Sequence, residues 1–95
     1  MTATVALIPL EDVLAALSDP VRLRIVRSLA EERDGLACGT LNLPVTKSTA
    51  SHHFKVLREA GIIDQEMRGR TRHNTLRRDH LDRHYPGLLE LVLRP

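Results

Sequence analysis

Residues 47–63 read KSTASHHFKVLREAGII. Ala50, Phe54 and Leu57 fall on one face of a helix, with His53 and Val56 at its edges. Lys47, Ser48, Ser51, His52, Lys55 and Arg58 lie mostly on the opposite face. Thr46 or Ser48 can cap the start, the helix continues to Ala60, and Gly61 can close it. The apolar face belongs in a core. The outer face is either an ordinary solvated surface or one built to meet a polyanion.

The residues just downstream favour the polyanion. Ile62–Met67 and Arg72–Leu76 read as two short strands joined by a basic turn at Gly69. Arg68, Arg70 and Arg72, with Thr71 among them, form a positive tip of the kind that follows a DNA backbone or enters a minor groove. Charge along the chain agrees. Residues 46–72 hold six Lys and Arg against three acids, whereas residues 1–34 hold four arginines against six acids. On the helix, Lys and Arg neutralise phosphates, and short hydroxyls and His52 reach base edges without holding the helix off the groove. The positive end of the helix dipole adds to the attraction. The partner expected is double-stranded DNA. Phe54 and Tyr85 are the only aromatic residues, too few for the stacking that holds single strands.

Upstream, Leu10, Val13, Leu14 and Leu17 predict a helix from about Pro9 to Leu17. Ser18-Asp19-Pro20 then stops and restarts the chain, with Asp19 as N-cap and Pro20 in the first helical position. The second helix runs through VRLRIVRSLAEE and ends at Arg33-Asp34-Gly35. The next segment, GLACGTLNLPV, has two glycines and a proline, so any helix in it is short. Past the hairpin, Asp79 caps a final helix, which Pro86-Gly87 interrupts and the apolar Leu88, Leu89, Leu91 and Val92 complete. The order is helix, helix, short element, helix, hairpin, helix. This is a mainly α fold with a small β-hairpin, best explained as a winged helix-turn-helix.

The chain has 95 residues, with no repeat or linker, and reads as one domain over 1–95. A core of this size stabilises modestly, which makes association with a second copy an expectation. The single cysteine, Cys38, excludes an intrachain disulfide framework, and a cytoplasmic location is expected. No apolar run approaches a membrane span. MTATVALIPLEDVL lacks the basic start of a signal peptide.

The runs LSDPVRLRIVRSLAE and TKSTASHHFKVLREAGIIDQEMRGRTRHNTL resemble the ArsR/SmtB family of bacterial winged helix-turn-helix regulators, a likeness extending from about Leu10 to Val92. The resemblance implies a homodimeric DNA-binding repressor with recognition helix Thr46–Ala60 and wing Arg68–Arg72. The first and last helices would form the dimer interface. Ser48, Thr49, Ser51 and His52 match the positions that face the major groove. His53 matches the second histidine of an H-H-[LF] signature, where a phosphate contact and a packed structural role are both open.

Two departures concern effectors. Many members hold metals through a cysteine pair before the recognition helix. Leu36-Ala37-Cys38-Gly39-Thr40-Leu41 has one cysteine, and thiolate trapping needs at least two soft ligands. A lone Cys38 reads as a small buried hydrophobe. Others bind zinc, nickel or cobalt between C-terminal helices, with a spacing this chain lacks. It has Asp79-His80-Leu81-Asp82-Arg83-His84 instead. His80 and His84 share a helical face, and two such pairs meeting across a dimer, with Asp79 or Asp82, could suit Ni(II) or Zn(II). The plainer reading makes Asp79 a cap, Asp82 a dipole partner and the histidines exposed.

The function expected is a sequence-specific DNA-binding transcription regulator on a palindromic operator, with a transition metal as a candidate effector. The alternative is a winged-helix protein-interaction module, for which the Leu88–Val92 stripe would serve as a docking face for a protein partner. An enzyme is not expected, because nothing places a nucleophile beside a base in a pocket.

Overall fold

Helix boundaries in the computed structural model, which describes residues 8–94, follow local chemistry. Helix α1 (Leu10–Leu17) starts after Pro9 and stops at Ser18. Asp19 then caps α2 (Pro20–Ala30), its carboxylate accepting the Arg22 backbone N–H at 3.0 Å, with proline at the first helical position where no N–H is needed. Of the two candidate caps for α3 (Lys47–Glu59), Thr46 is the one used, its hydroxyl accepting from the Thr49 N–H. The other end of α3 is a Schellman closure. The Gly61 N–H bonds the Arg58 carbonyl and the Ile62 N–H bonds the Leu57 carbonyl, both at 3.0 Å, with Gly61 at φ +74°. Leu57 and Ile62, which this closure brings together, are both fully buried.

The hairpin is β2 (Ile63–Arg68) and β3 (Thr71–Leu76), one residue longer at the tip on each side than the sequence suggested. Arg68 pairs with Thr71, so Gly69 and Arg70 alone form the turn. A further strand, β1 (Leu36–Ala37), was not expected. It adds to the outer edge of β3, pairing Leu36 with Asn74 and Ala37 with His73, which makes β3 the centre of an antiparallel sheet ordered β1-β3-β2. Two residues are too few to carry a periodic signal. The pairing depends on a partner 38 positions away, which no local pattern encodes.

The short element before α3 is a single 3-10 turn over Cys38–Thr40, since Gly39 and the nearby Pro44 leave no room for a regular helix. The final helix is two, α4 (Arg78–His84) and α5 (Leu88–Val92), separated at Tyr85-Pro86-Gly87. Asp79 is not the cap. Arg77 holds that position without a side-chain bond, and Asp79 lies in the first turn, where an acid still favours the helix dipole.

One apolar cluster joins these elements. Val13 and Leu17 from α1, Ile25, Val26 and Leu29 from α2, and Phe54 and Leu57 from α3 meet Ile62, Ile63, Leu76, Leu81 and Leu89. Leu10 and Leu14 are half exposed, and Leu91 is exposed. Tyr85 reaches back to donate to the Ile8 carbonyl, tying the start of α1 to the end of α4.

Gly35 marks where α2 delivers the chain to β1. Its φ is +85°, and a β-carbon there would lie 2.2 Å from the Asn74 backbone oxygen. Gly39 has neither constraint and faces open space. Gly35→Ala should therefore lower stability by more than about 1 kcal/mol, the cost of alanine at positive φ, and lower the melting temperature by at least ~4 °C. Gly39→Ala should melt within a degree or two of the parent, on the order of an ordinary surface change. Thermal denaturation followed by circular dichroism checks both.

Candidate nucleic-acid interface

The two faces of α3 separate cleanly. Phe54 and Leu57 are buried against α1 and α2, with Ala50 and Val56 half-buried beside them. Lys47, Ser48, Thr49, Ser51, His52, Lys55 and Arg58 are exposed, and so are Arg68, Arg70, Thr71 and Arg72 on the wing. Eleven of the twelve residues read as DNA contacts thus reach solvent, on α3 and on the adjoining hairpin. Among the wing cations, Arg68 is paired with Glu66 at 2.8 Å on the surface. Such a pair is worth little in water and gives way to a phosphate.

The twelfth, His53, belongs to the interior. Its ring is 9% exposed. Arg22 lies against it, with Nη1 3.0 Å from His53 Nδ1. Arginine only donates, so Nδ1 accepts and the ring proton sits on Nε2. Asp19 Oδ2 is 3.9 Å from the same nitrogen, beyond hydrogen-bond distance, so Arg22 rather than Asp19 is the partner. The same guanidinium donates from Nε to the Ala16 carbonyl at 2.6 Å. One arginine therefore clamps the end of α1, the start of α2 and the middle of α3. Of the two roles open for His53, this burial and the Arg22 bond match the packed, hydrogen-bonded one. Asp19 sits at the same corner. The Arg22 backbone N–H, aided by the charge of the Arg22 guanidinium, holds its carboxyl below the usual carboxylate range against an opposing effect of burial.

Two further polar side chains lie in structural positions. His73 sets Nε2 against the Asp34 carbonyl, which fastens the chain beside Gly35. Asn74 is fully buried in mid-strand. Its Nδ2 donates to the Leu36 carbonyl at 3.1 Å and to the Cys38 sulfur at 3.0 Å, and its Oδ1 accepts from Gln65 Nε2 at 2.6 Å. Cys38 is therefore half-buried and accepts a hydrogen bond, which is more than a small hydrophobe does. Neither Asn74 nor Gln65 stood out in the sequence. In the polar run TRHNTL nothing in the sequence sets Asn74 apart.

His80 and His84 do come together, their ring centroids 4.7 Å apart. His80 is half-buried, not exposed as the plainer reading had it. Burial pushes its imidazole below the ordinary value, Arg77 and His84 push it the same way, and Asp64 opposes them. Asp79 and Asp82 are exposed. No group of three or more His, Cys, Asp or Glu able to hold a metal occurs among the described residues. Among the described residues no helix is long and apolar enough to cross a membrane.

A helix-turn-helix domain model matches residues 17–66, from the end of α1 into β2. An HTH-type transcriptional regulator of Bacillus subtilis (strain 168), YceK, is 41% identical over 82 residues, covering 84% of this chain and 82% of the relative. Among solved structures, an ArsR-like transcriptional regulator from Rhodococcus sp. RHA1 superposes with a TM-score of 0.68 at 26% identity, over 86% of this chain and 77% of that one. The chain belongs to the ArsR family of winged helix-turn-helix transcriptional regulators. It is a DNA-binding regulator, and the family is not one of enzymes. The cadmium metal-sensor CMTR from Mycobacterium tuberculosis is a further neighbour of this ArsR-family chain, 32% identical with a TM-score of 0.62 over 90% of this chain and 89% of that one.

The adjacent histidines should separate in experiment. His53→Ala leaves the buried end of Arg22 without its acceptor and should cost about 1–3 kcal/mol. His52→Ala should leave the melting temperature unchanged and weaken DNA binding. Parallel melting curves and fluorescence-anisotropy titrations check the pair.

Proposed function

We propose that the regulator acts as a homodimer on a palindromic operator, presenting the outer face of α3 to successive major grooves about 34 Å apart. The observation that carries this reading is the exposure of six Lys and Arg, four hydroxyl side chains and His52 along α3 and the wing, while the opposite face of α3 is buried through Phe54 and Leu57. Roles divide by chemistry. Lys47, Lys55, Arg58, Arg68, Arg70 and Arg72 meet phosphates and supply affinity, with Thr71 beside them at the wing. Ser48, Thr49, Ser51 and His52 select sequence. Thr49 is suited to that task, because the Thr46 hydroxyl donates to its oxygen at 2.9 Å and leaves the Thr49 hydrogen free to point outward.

The dimer reading is supported by the half-exposed leucines of the terminal helices. Leu10 and Leu14 on α1 and Leu91 on α5 are 50%, 47% and 64% exposed, and a second copy would cover them. If a protein partner covered them instead, the interaction-module reading would gain.

The effector reading is narrower than the neighbours suggest. The only cysteine already accepts an N–H from Asn74, so a cadmium site of paired thiolates does not fit one chain. His80 and His84 give two nitrogens per chain, short of the four ligands zinc takes, and Arg77 beside them opposes added positive charge. Response to Ni(II) or Zn(II) therefore requires two such pairs to meet in the dimer.

Anisotropy titrations with the DNA upstream of its own gene, in chelator, nickel and zinc, test the whole reading. Thr49→Ala should change preference among related duplexes. Arg70→Ala should weaken binding to every duplex and reduce the slope of log K against log salt by about 0.9. Equal effects of the two variants on all DNA would refute this division of roles. In sedimentation equilibrium the parent should run as a dimer, and Leu14→Glu or Leu91→Glu as a monomer that binds DNA more weakly. A monomeric parent that still binds selectively would remove the dimer.

A further inference from the structure

We propose that Gln65, held from behind by the buried Asn74, is a positioning residue that fixes the Arg58 guanidinium over a seat for one DNA phosphate between α3 and the wing. The register of the hairpin builds this seat. Residues paired across β2 and β3 share a face, and one face carries Ile63 with Leu76, Gln65 with Asn74, and Met67 with Arg72. The first pair is buried in the core and the last is exposed. The middle pair is where the apolar interior gives way to a cationic surface.

Asn74 cannot turn away from this task. It is fully buried, and its bonds to Leu36, Cys38 and Gln65 satisfy both ends of its amide. The 2.6 Å bond from Gln65 Nε2 to Asn74 Oδ1 settles which end of the Gln65 amide faces inward. The oxygen therefore faces outward, and Arg58 Nη1 donates to it at 3.2 Å. Arg58 comes from the last turn of α3, and no acid pairs with it among the described residues. Arg58, Gln65, Glu66, Met67 and Arg72 line an open cleft of about 210 Å³. Glu66, paired with Arg68 at 2.8 Å, also lines the cleft, where the two guanidinium charges of Arg58 and Arg72 outnumber its one carboxylate.

The chemistry fits a phosphate diester. A guanidinium tied by one nitrogen still offers donors on its other edge, and a second arginine across the cleft supplies charge. A long exposed side chain loses rotamer freedom on binding, and a neutral acceptor that holds Arg58 beforehand reduces that loss without neutralising it. A carboxylate in place of Gln65 would hold the arginine more tightly but compete with the phosphate. The inference rests on the DNA-facing reading of α3 and the wing.

The test is a double-mutant cycle on DNA affinity. Anisotropy of a labelled mixed-sequence duplex is measured with the full chain, Gln65→Met, Arg58→Ala and the double variant, well below their melting transitions. A phosphate contact is independent of sequence, so no operator is needed. Arg58→Ala should weaken binding roughly tenfold and lower the salt slope by about 0.9. Gln65→Met should weaken it roughly threefold in the parent and not at all in the Arg58→Ala background. Gln65→Met also strips Asn74 of a partner, so its melting temperature falls in both backgrounds, and only the coupling in affinity reports positioning. Full additivity, or no effect of Gln65→Met in the parent, would overturn the proposal. If Gln65→Met does not fold, the side-chain amide signals of Gln65 in a nitrogen–proton NMR spectrum decide. They should shift on Arg58→Ala and on adding duplex to the parent, and unmoved signals would equally overturn it. Arg70→Ala separates the two readings. If it and Arg58→Ala both leave affinity unchanged, the DNA-facing surface itself is wrong. If Arg70→Ala weakens binding while Gln65→Met does not, only the positioning role is lost.

Discussion

A carboxamide sealed from water must find every hydrogen bond inside the protein, and Asn74 does so at the place where three parts of this chain meet. Its donors hold the Leu36 carbonyl and the Cys38 sulfur, and its acceptor holds Gln65. Those bonds fasten the segment after α2 to the wing, and through Gln65 and Arg58 the wing to the recognition helix. An apolar residue at Asn74 would bury as well but would leave the Leu36 carbonyl, the Cys38 sulfur and Gln65 without these side-chain bonds. A buried polar group specifies one arrangement here, because any other leaves it unpaired. Gly35 reinforces this, since its lack of a side chain lets the chain pass directly over the Asn74 carbonyl.

A second clamp works at the opposite side of α3. Arg22 reaches the Ala16 carbonyl and the His53 ring, so the orientation of α3 is fixed from the α1–α2 corner as well as from the wing. The adjacent histidines thereby take opposite tasks. They point about 100° apart around the helix. That rotation puts His53 in the interior and His52 in solvent. The two clamps thus hold α3 from both sides, and exposed cations stand on its outer face and along the wing.

The C-terminal histidines illustrate how much a second copy would decide. Within one chain, His80 and His84 stand together beside Arg77, an arrangement that disfavours extra positive charge on His80. The same helices end in the exposed Leu91, while α1 leaves Leu10 and Leu14 half uncovered.

The sequence by itself determined the elements whose causes are local. Pro20 after Asp19 and Gly61 after Ala60 set helix ends through capping bonds made within five residues. The 3.6-residue period of Phe54 and Leu57 and the Gly69 turn located α3 and the wing, and the charge pattern marked their exposed cationic side chains. Only the tertiary structure decided the rest. Strand β1 exists because β3 offers it an edge from 38 positions away, and two residues carry no period to announce it. Asp79 lost the cap to Arg77 because the hairpin fixes where α4 can begin, Arg77 N–H bonding the Ile62 carbonyl. His53 became structural because an arginine 31 residues earlier meets its ring. The relay from Asn74 through Gln65 to Arg58 joins strand, strand and helix, and side chains brought together only by packing leave no spacing for a sequence to show.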